Sequence, residues 1–310
     1  MVERESVTTV VAFPGQGSQH PGMFVEAPEN EALARLLDAA EALTGLDLRH
    51  LAAEGAPEAL ADTRVAQPLI YLIDWAWGSA LLELGVEPDV VAGHSLGEFA
   101  ACAVAGVFSV EAGLELVCTR ARMMSEAAKK HPGTMAAVLG LDIAAVDDVL
   151  SGIDGAWVAN DNVDGQVVIS GTAEGVNAAV EALQEAGARR SVPLEVSGAF
   201  HTPLMGDAAA EFSALLAAAE FRSARIPVVQ NTRPTPATEP DEIRTALMGQ
   251  MAGRVRWRET LDYIATLTPV YLIEAGPGNV LRGLARRVEG IGSVSVEGAD
   301  LESIIEGVGR

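Results

Sequence analysis

Gly93-His94-Ser95-Leu96-Gly97 sets a serine between two glycines. Where such a pentapeptide joins a strand to a helix, the turn lifts the hydroxyl out of the sheet and aims it past the helix N-terminus. The N–H of the following residue, here Leu96, can then donate to an oxyanion. A serine in that setting is a candidate nucleophile, the alternative being a chance G-x-S-x-G in a loop. It needs a base, because a serine at its free pKa is a weak nucleophile. The chain offers five histidines: His20, His50, His94, His131 and His201. His94 adjoins Ser95, but neighbours at a tight turn point apart. His50 lies among charged residues in a helical stretch, and His20 and His131 sit beside prolines in loops. His201 follows a strand and meets Thr202-Pro203, a helix start. The junction of strand end and helix start is a common catalytic position in α/β sheets. His201 is therefore the candidate base, with a structural surface histidine as the alternative.

A third residue stands out on the predicted helix Val110–Ala128. Glu115, Thr119, Arg122 and Glu126 recur at helical spacing and form a polar stripe. Gly113, Leu116, Val117, Met123, Met124 and Ala127 occupy the other side, and Arg120 falls among them. A lone guanidinium on an apolar face costs several kcal/mol unless it meets a carboxylate. The spacing favours an internal Asp or Glu. A carboxylate on a bound substrate also fits, because arginine offers a planar fork for one.

These residues need elements to hold them. Val7 to Phe13 reads as a strand ending at Pro14-Gly15-Gln16-Gly17, and Asp89 to Ala92 as a short strand leading into the serine turn. Helical patterns cover Glu31–Leu43, Gln67–Leu84 and Glu98–Ala105, and Ser109 caps the arginine-bearing helix. Between Gly133 and Val196 the rhythm changes. Thr134–Leu139, Ala156–Ala159, Gln166–Ser170 and Arg190–Leu194 read as strands, and Ile143–Leu150 and Ala173–Ala186 as helices. This βαββαβ order is the ferredoxin-like pattern. Asn231 to Pro240 reads as a surface loop. Tyr271–Glu274 reads as a strand broken at Gly276-Pro277-Gly278 before a basic helix. Strands separated by helices imply a mostly parallel sheet. The expected organisation is one core of residues 1–132 and 197–310, with a small subdomain of residues 133–196 inserted into it.

Composition narrows the function classes. The 310 residues are 49% apolar and 21% charged, an ordinary globular balance. No apolar stretch is long enough for a membrane span. The acidic start, MVERESVTTVVAFPGQG, lacks the basic opening of a signal peptide. The formal net charge of −22 speaks against nucleic acid or a membrane surface as partner. Cys102 and Cys118 both fall in apolar helical patterns and read as buried thiols, which points to the cytoplasm. The only lysines are Lys129 and Lys130.

Taken together, these segments resemble the malonyl-coenzyme A–acyl carrier protein transacylases, with the acyltransferase domains of polyketide and fatty acid synthases as relatives. The resemblance rests on Pro14-Gly15-Gln16-Gly17-Ser18-Gln19, Gly93-His94-Ser95-Leu96-Gly97-Glu98 and Arg120 with Met124. It continues through Asn160-x-Asn162, Gly165-Gln166-Val167-Val168-Ile169, Phe200-His201 with Met205, Gln250, and Glu274-Ala275-Gly276-Pro277-Gly278. The matches run in family order over nearly the whole chain.

The resemblance implies an α/β-hydrolase-like core with the ferredoxin-like insertion and the active site between them. It implies Ser95 as acylated nucleophile, His201 as its base and the N–H groups of Gln16 and Leu96 as oxyanion hole. Arg120 becomes the clamp for a malonyl carboxylate, which reverses the preference for an internal pair. Gln250 matches the position whose carbonyl steadies the histidine, so no third acid is expected. Asn162 and Met124 match positions near the cleft. Phe200 would crowd an α-methyl branch and so favours malonyl over methylmalonyl, although the window Ser197-Gly198-Ala199 departs from the familiar variants.

No metal or redox cofactor is implied; coenzyme A and phosphopantetheine enter with the substrates. The implied partners are malonyl-CoA and an acidic carrier protein, and a monomer is expected. The carrier would dock on a basic patch: Arg282, Arg286 and Arg287 on the helix after Gly276-Pro277-Gly278, with Arg189 and Arg190, and Lys129 and Lys130, as second choices. A solvated face explains each of these equally well. The competing readings are a polyketide acyltransferase acting in trans with another acyl group, a serine esterase or thioesterase, and a non-catalytic carrier-binding module.

Overall fold

The computed structural model describes residues 7–28, 31–196, 198–299 and 301–308. The first six residues of the acidic start and Ser197 lie outside the described residues. In chain order the strands are β1 (Thr8–Phe13), β2 (Val90–Gly93), β3 (Thr134–Leu139), β4 (Ala156–Val163), β5 (Gln166–Gly171), β6 (Arg190–Pro193), β7 (Val228–Val229), β8 (Pro236–Ala237), β9 (Val270–Glu274) and β10 (Ile291–Ser295).

Six of them form the larger sheet, in the order β10-β9-β1-β2-β7-β8. Every pairing in it is parallel except β7 with β8. Its central strand shows why an unbroken apolar run suits this place. Val10 and Ala12 face one buried cluster, with Val90, Ala92, Trp257 and Leu261. Val11 and Phe13 face the other, with Tyr71, Phe99 and Phe212. Successive side chains alternate faces, and a parallel sheet covered by helices on both sides needs apolar residues on each. The helices Thr63–Glu83, Gly97–Val104 and Val110–Lys130 build the second of these faces. The last is capped as its sequence predicts, with Ser109 Oγ accepting from the N–H of Ala112 at 3.2 Å. No helix among the described residues is long and apolar enough to cross a membrane.

The other four strands form an antiparallel sheet in the order β4-β5-β3-β6. With the helices Ile143–Leu150 and Ala173–Glu185 the element order is βαββαβ. Val138, Val146, Val158, Val167, Ile169 and Leu183 give this unit a core of its own. The turn between β4 and β5 is Asp164-Gly165, with Gly165 at φ 71°, a conformation that favours glycine.

Three features depart from the sequence reading. β4 runs on to Val163 instead of stopping at Ala159, because its polar end pairs on two sides. Asn160 bridges Val255 of the larger unit while the strand keeps pairing with β5. Ion pairs of Arg254 with Asp147 at 2.5 Å and Arg258 with Asp161 at 3.0 Å join the two units nearby. The segment from Asn231 to Pro240 is not wholly a surface loop: Asn231 is buried and β8 lies within it. The basic helix is only Val280–Ala285, so Arg286 is its C-cap and Arg287 lies beyond it.

Candidate active site

Among the described residues, the only non-glycine residues with positive φ are Ser95 at 51° and His201 at 58°. Each such conformation costs of order 1–3 kcal/mol and persists only where surrounding contacts enforce it. At Ser95 those contacts are explicit. Its N–H donates to Asn231 Oδ1 at 2.6 Å, and its carbonyl accepts from Gln250 Nε2 at 2.8 Å. The turn also needs its glycines. A Cβ on Gly93 would lie 2.0 Å from the Gly97 carbonyl carbon, and one on Gly97 would lie 2.1 Å from the Phe13 carbonyl oxygen.

Ser95 Oγ lies 2.8 Å from His201 Nε2. His201 Nδ1 lies 2.9 Å from the Gln250 carbonyl oxygen and 3.2 Å from that of Gly253. Carbonyls only accept, so Nδ1 carries the proton and Nε2 is left free to take the serine's. Burial first, and then the charge of Arg120, holds the imidazole far below its ordinary value, at about 3. It is therefore neutral at physiological pH, as a base must be. A carbonyl orients it where other serine enzymes use a carboxylate.

Arg120 is fully buried. Its Nη2 donates to Ser95 Oγ at 3.1 Å and to Gln250 Oε1 at 2.9 Å, and its Nη1 donates to Gln67 Oε1 at 2.8 Å. Nε has no partner among the described residues, and the guanidinium carbon sits 5.5 Å from the centre of the Phe99 ring. None of these partners is a carboxylate, so the internal pair favoured by spacing alone is not formed. Burial pulls this guanidinium down to about 10, against the opposing charge of Glu98.

The other predicted site residues fall as follows. The N–H groups of Gln16 and Leu96 have no partner among the described residues. The Gln16 loop is pressed against the serine turn, since a Cβ on Gly15 would lie 2.4 Å from the His94 carbonyl oxygen. The Gln16 side chain is engaged elsewhere, donating to Ala61 O and Thr63 Oγ1. Met124 is buried, and its sulfur accepts from Gln67 Nε2 at 3.4 Å. Phe200 is buried beside His201, with its ring edge 3.3 Å from where a Cβ on Gly198 would stand. Asn162 Oδ1 bonds His94 Nε2 at 2.9 Å, so it holds the histidine that points away from the serine. His201 also lines an open cleft of about 580 Å³ at the seam between the two units, with Arg254, Asp147 and Trp157.

The predicted docking residues do not share one state. Arg286, Arg189, Arg190 and Lys129 are exposed. Arg287 is exposed but spends its guanidinium on Gln166 Oε1 and the Asp164 carbonyl, tying the core to the small sheet. Arg282 is half-buried, with Nε unpartnered among the described residues. Lys130 pairs with Asp207 at 2.8 Å.

Sequence reasoning missed Gln67, Glu98, Asn231 and the Gly253 carbonyl. Glu98 carried a signal, being the lone charge in an otherwise apolar helix. Asn231 lies two residues past the end of β7, and strand ends in parallel sheets gather functional residues.

Comparison with known proteins agrees with this geometry. Residues 10–288 match the acyl transferase domain family. A malonyl CoA-acyl carrier protein transacylase of Synechocystis is 39% identical, over 90% of this chain and 93% of that protein. The crystal structure of an acyl-carrier-protein S-malonyltransferase from Bartonella henselae superposes with a TM-score of 0.90 at 34% identity, covering 98% of this chain and 100% of that one. A type II polyketide synthase acyl carrier protein has been solved in complex with its malonyl-transacylase, which matches with a TM-score of 0.87 at 35% identity, over 97% of this chain and 99% of that chain. With the match spanning nearly its whole length, this chain belongs to the malonyl CoA-acyl carrier protein transacylase family of acyl transferase domains.

Proposed function

We propose that this enzyme moves a malonyl group from malonyl-CoA to the phosphopantetheine thiol of an acyl carrier protein, for fatty acid or polyketide synthesis, by way of an ester on Ser95. One observation carries the reading: a fully buried guanidinium, hydrogen-bonded to no protein carboxylate among the described residues, donates to the serine oxygen that bonds the base. Only a carbonyl carbon and a methylene separate the ester oxygen of a malonyl serine from its free carboxylate. That carboxylate reaches the same guanidinium.

His201 takes the serine proton at Nε2 as Oγ attacks the thioester carbonyl. The N–H groups of Gln16 and Leu96 receive the oxyanion, each such donor being worth roughly 10²–10³ in rate. The thiol of coenzyme A leaves with the proton held by His201. The carrier's thiol then enters and the steps run in reverse. Every proton passes through this chain's own residues, and the pantetheine arms belong to the substrates. Phe200, packed beside the base, favours malonyl over a branched acyl group; one methyl is discriminated by about 1–3 kcal/mol. Two free, buried cysteines support a reducing compartment, which we take to be the cytoplasm.

Intact-protein mass spectrometry after mixing with malonyl-, methylmalonyl- or acetyl-CoA tests the proposal. A single malonyl adduct is expected on the wild type and none on Ser95→Ala. Steady hydrolysis of the donor with no stable adduct would point to a thioesterase instead.

A further inference from the structure

Glu98 opens the helix that follows the serine turn and is fully buried. The rest of that helix is Phe99-Ala100-Ala101-Cys102-Ala103-Val104, which offers the carboxylate no cation. Its Oε2 instead accepts from Gln250 Nε2 at 2.6 Å, and its Oε1 from the N–H of Asn231 at 3.4 Å. The same Gln250 carboxamide presents Oε1 to Arg120 Nη2 at 2.9 Å. A carboxamide has one donor end and one acceptor end. With the donor end held by Glu98, the acceptor end faces Arg120. The opposite orientation would set N–H groups against a guanidinium and an oxygen against a carboxylate.

Two buried, opposite charges are therefore linked through one amide without touching. A lone buried guanidinium is strongly unfavourable, and Glu98 is the charge that balances it. A dicarboxylic half-thioester brings a second negative charge to the same cation. One carboxylate must then lose its electrostatic support.

The geometry points to Glu98 as a positioning residue that orients Gln250 and balances Arg120 before acylation, then takes up a proton when an acyl carboxylate reaches Arg120. This inference rests on Arg120 being the carboxylate clamp. The ester exchange itself balances: the serine O–H and the thioester C–S bond break, the ester C–O and thiol S–H bonds form, and His201 carries the proton between them. The proton on Glu98 comes from solvent, so it can be counted.

Among the described residues, the titratable groups around Glu98 are Arg120, His94, His201 and Cys102. Burial lowers His94 as well, and Glu98→Gln separates its titration from that of Glu98; burial pushes the Cys102 thiol well up, and with His201 at about 3 and Arg120 at about 10 none of these last three changes charge between pH 6 and 7.5. The Glu98 carboxyl does. Burial raises it to about 7, while the Gln250 and Asn231 hydrogen bonds and then the charge of Arg120 pull it down. Neutralising Arg120 removes one of the lowering influences, so the value rises and a proton binds.

The experiment is stopped-flow acylation in weak buffer with a pH indicator, using malonyl-CoA and acetyl-CoA as probes between pH 6 and 7.5. Protons are counted per ester, and the ester is measured by intact mass. Malonyl should take up about half a proton per ester near pH 7.2, as expected for a group titrating near 7, and progressively less towards pH 6. Acetyl, with no carboxylate, should take up less than about a tenth of that. Glu98→Gln should abolish the malonyl uptake and Glu98→Asp should retain it; a merely structural role predicts no difference between them. Equal uptake with both donors, no uptake with malonyl, or uptake surviving in Glu98→Gln overturns the inference. Should Glu98→Gln fail to fold, the two donors on wild type decide alone. Failure to form any malonyl ester is seen in the mass before a proton is counted, and would instead remove the clamp reading on which this one stands.

Discussion

Two turns at the C-terminal end of the parallel strands of the larger sheet invite comparison. One follows β2 and carries Ser95 into the helix Gly97–Val104; the other follows β9 and carries Gly276-Pro277-Gly278 into the helix Val280–Ala285. Their strands flank β1 on opposite sides. Each turn has a fully buried glutamate beside it, raised by burial to about 7. The difference lies in what the acid binds. Glu274 accepts from the N–H groups of Leu281 and Arg282 at 2.9 and 2.8 Å, so the chain itself satisfies its helix N-terminus. Glu98 reaches into a side-chain network instead, while the N–H of Leu96 has no partner among the described residues. The serine turn differs in leaving a donor of its own chain unmet beside a hydroxyl.

The sharpest way to break this comparison is to put a methyl group into each turn. Gly97→Ala places a Cβ 2.1 Å from the Phe13 carbonyl oxygen and 2.6 Å from that of Pro14, at the end of β1. We expect loss of all detectable malonyl adduct and a large fall in Tm. Gly278→Ala meets nothing closer than 3.4 Å and carries only the strain of φ 78°. It should cost about 1 kcal/mol and leave acylation intact. Similar losses from both would mean that the serine turn is not the more tightly enforced one.

The next largest effect tests the unmet groups. Truncating one partner of a buried, hydrogen-bonded charge pair costs about 2–5 kcal/mol, roughly 30- to 5,000-fold. Arg120→Ala should therefore lower kcat/KM for malonyl-CoA within that range while acetyl-CoA falls much less. Parallel losses with both donors would reduce Arg120 to a scaffold for the serine turn.

Much of the site was legible because its residues break local rules. A serine between glycines after a strand, and a charge on an apolar helix face, can each be read from a few neighbours. That Arg120 bonds no internal acid could not be read from spacing. The decision depends on Gln67 and Gln250, which lie 53 and 130 residues from it in sequence. Asn231 escaped because the segment after it is rich in Pro and Thr, and composition reports the loop while tertiary packing buries its first residue. The alternating pattern exposed both sheets, but the end of β4 did not show, since its Asn-Asp-Asn residues are strand only by pairing across two units. The basic face after the Gly276 turn was over-read for a related reason: three arginines at helical spacing need a helix long enough to carry them.

The β9 turn has one flaw that the serine turn lacks. Asp74 is fully buried, neither carboxyl oxygen has a partner among the described residues, and a Cβ on Gly276 would lie 2.1 Å from Oδ1. Burial first, then the nearby Glu274, pushes its carboxyl well above the ordinary range. The folded chain thus keeps a proton that the unfolded chain releases near pH 4. That favours folding at low pH, and the advantage is lost as pH rises towards the folded value, by at most about 1.4 kcal/mol per pH unit. Asp74→Asn keeps the shape without the titration. Denaturant unfolding at pH 5 and 7.5 should show it gaining about 1–3 kcal/mol on wild type at the higher pH, with unchanged acylation. Parallel stability curves would mean that Asp74 finds a partner in solution.

The smallest expected effect separates the exposed arginines at the far end of the helix that follows this turn. Arg287 is tied to Gln166 and the Asp164 carbonyl, whereas Arg286 is exposed at the helix end and forms no ion pair with a described residue. An acidic carrier protein would find Arg286 free, and a rim charge acts mainly on association rate. Arg286→Glu should raise the KM for carrier protein by about 3- to 10-fold at low salt, less at 0.5 M salt, with acylation by malonyl-CoA unchanged. Arg287→Glu should in addition loosen the seam between the two sheets and lower Tm. Identical carrier kinetics in wild type and Arg286→Glu would move docking to Arg189 and Arg190 on the smaller sheet, and leave the end of the helix after the β9 turn with no part in transfer.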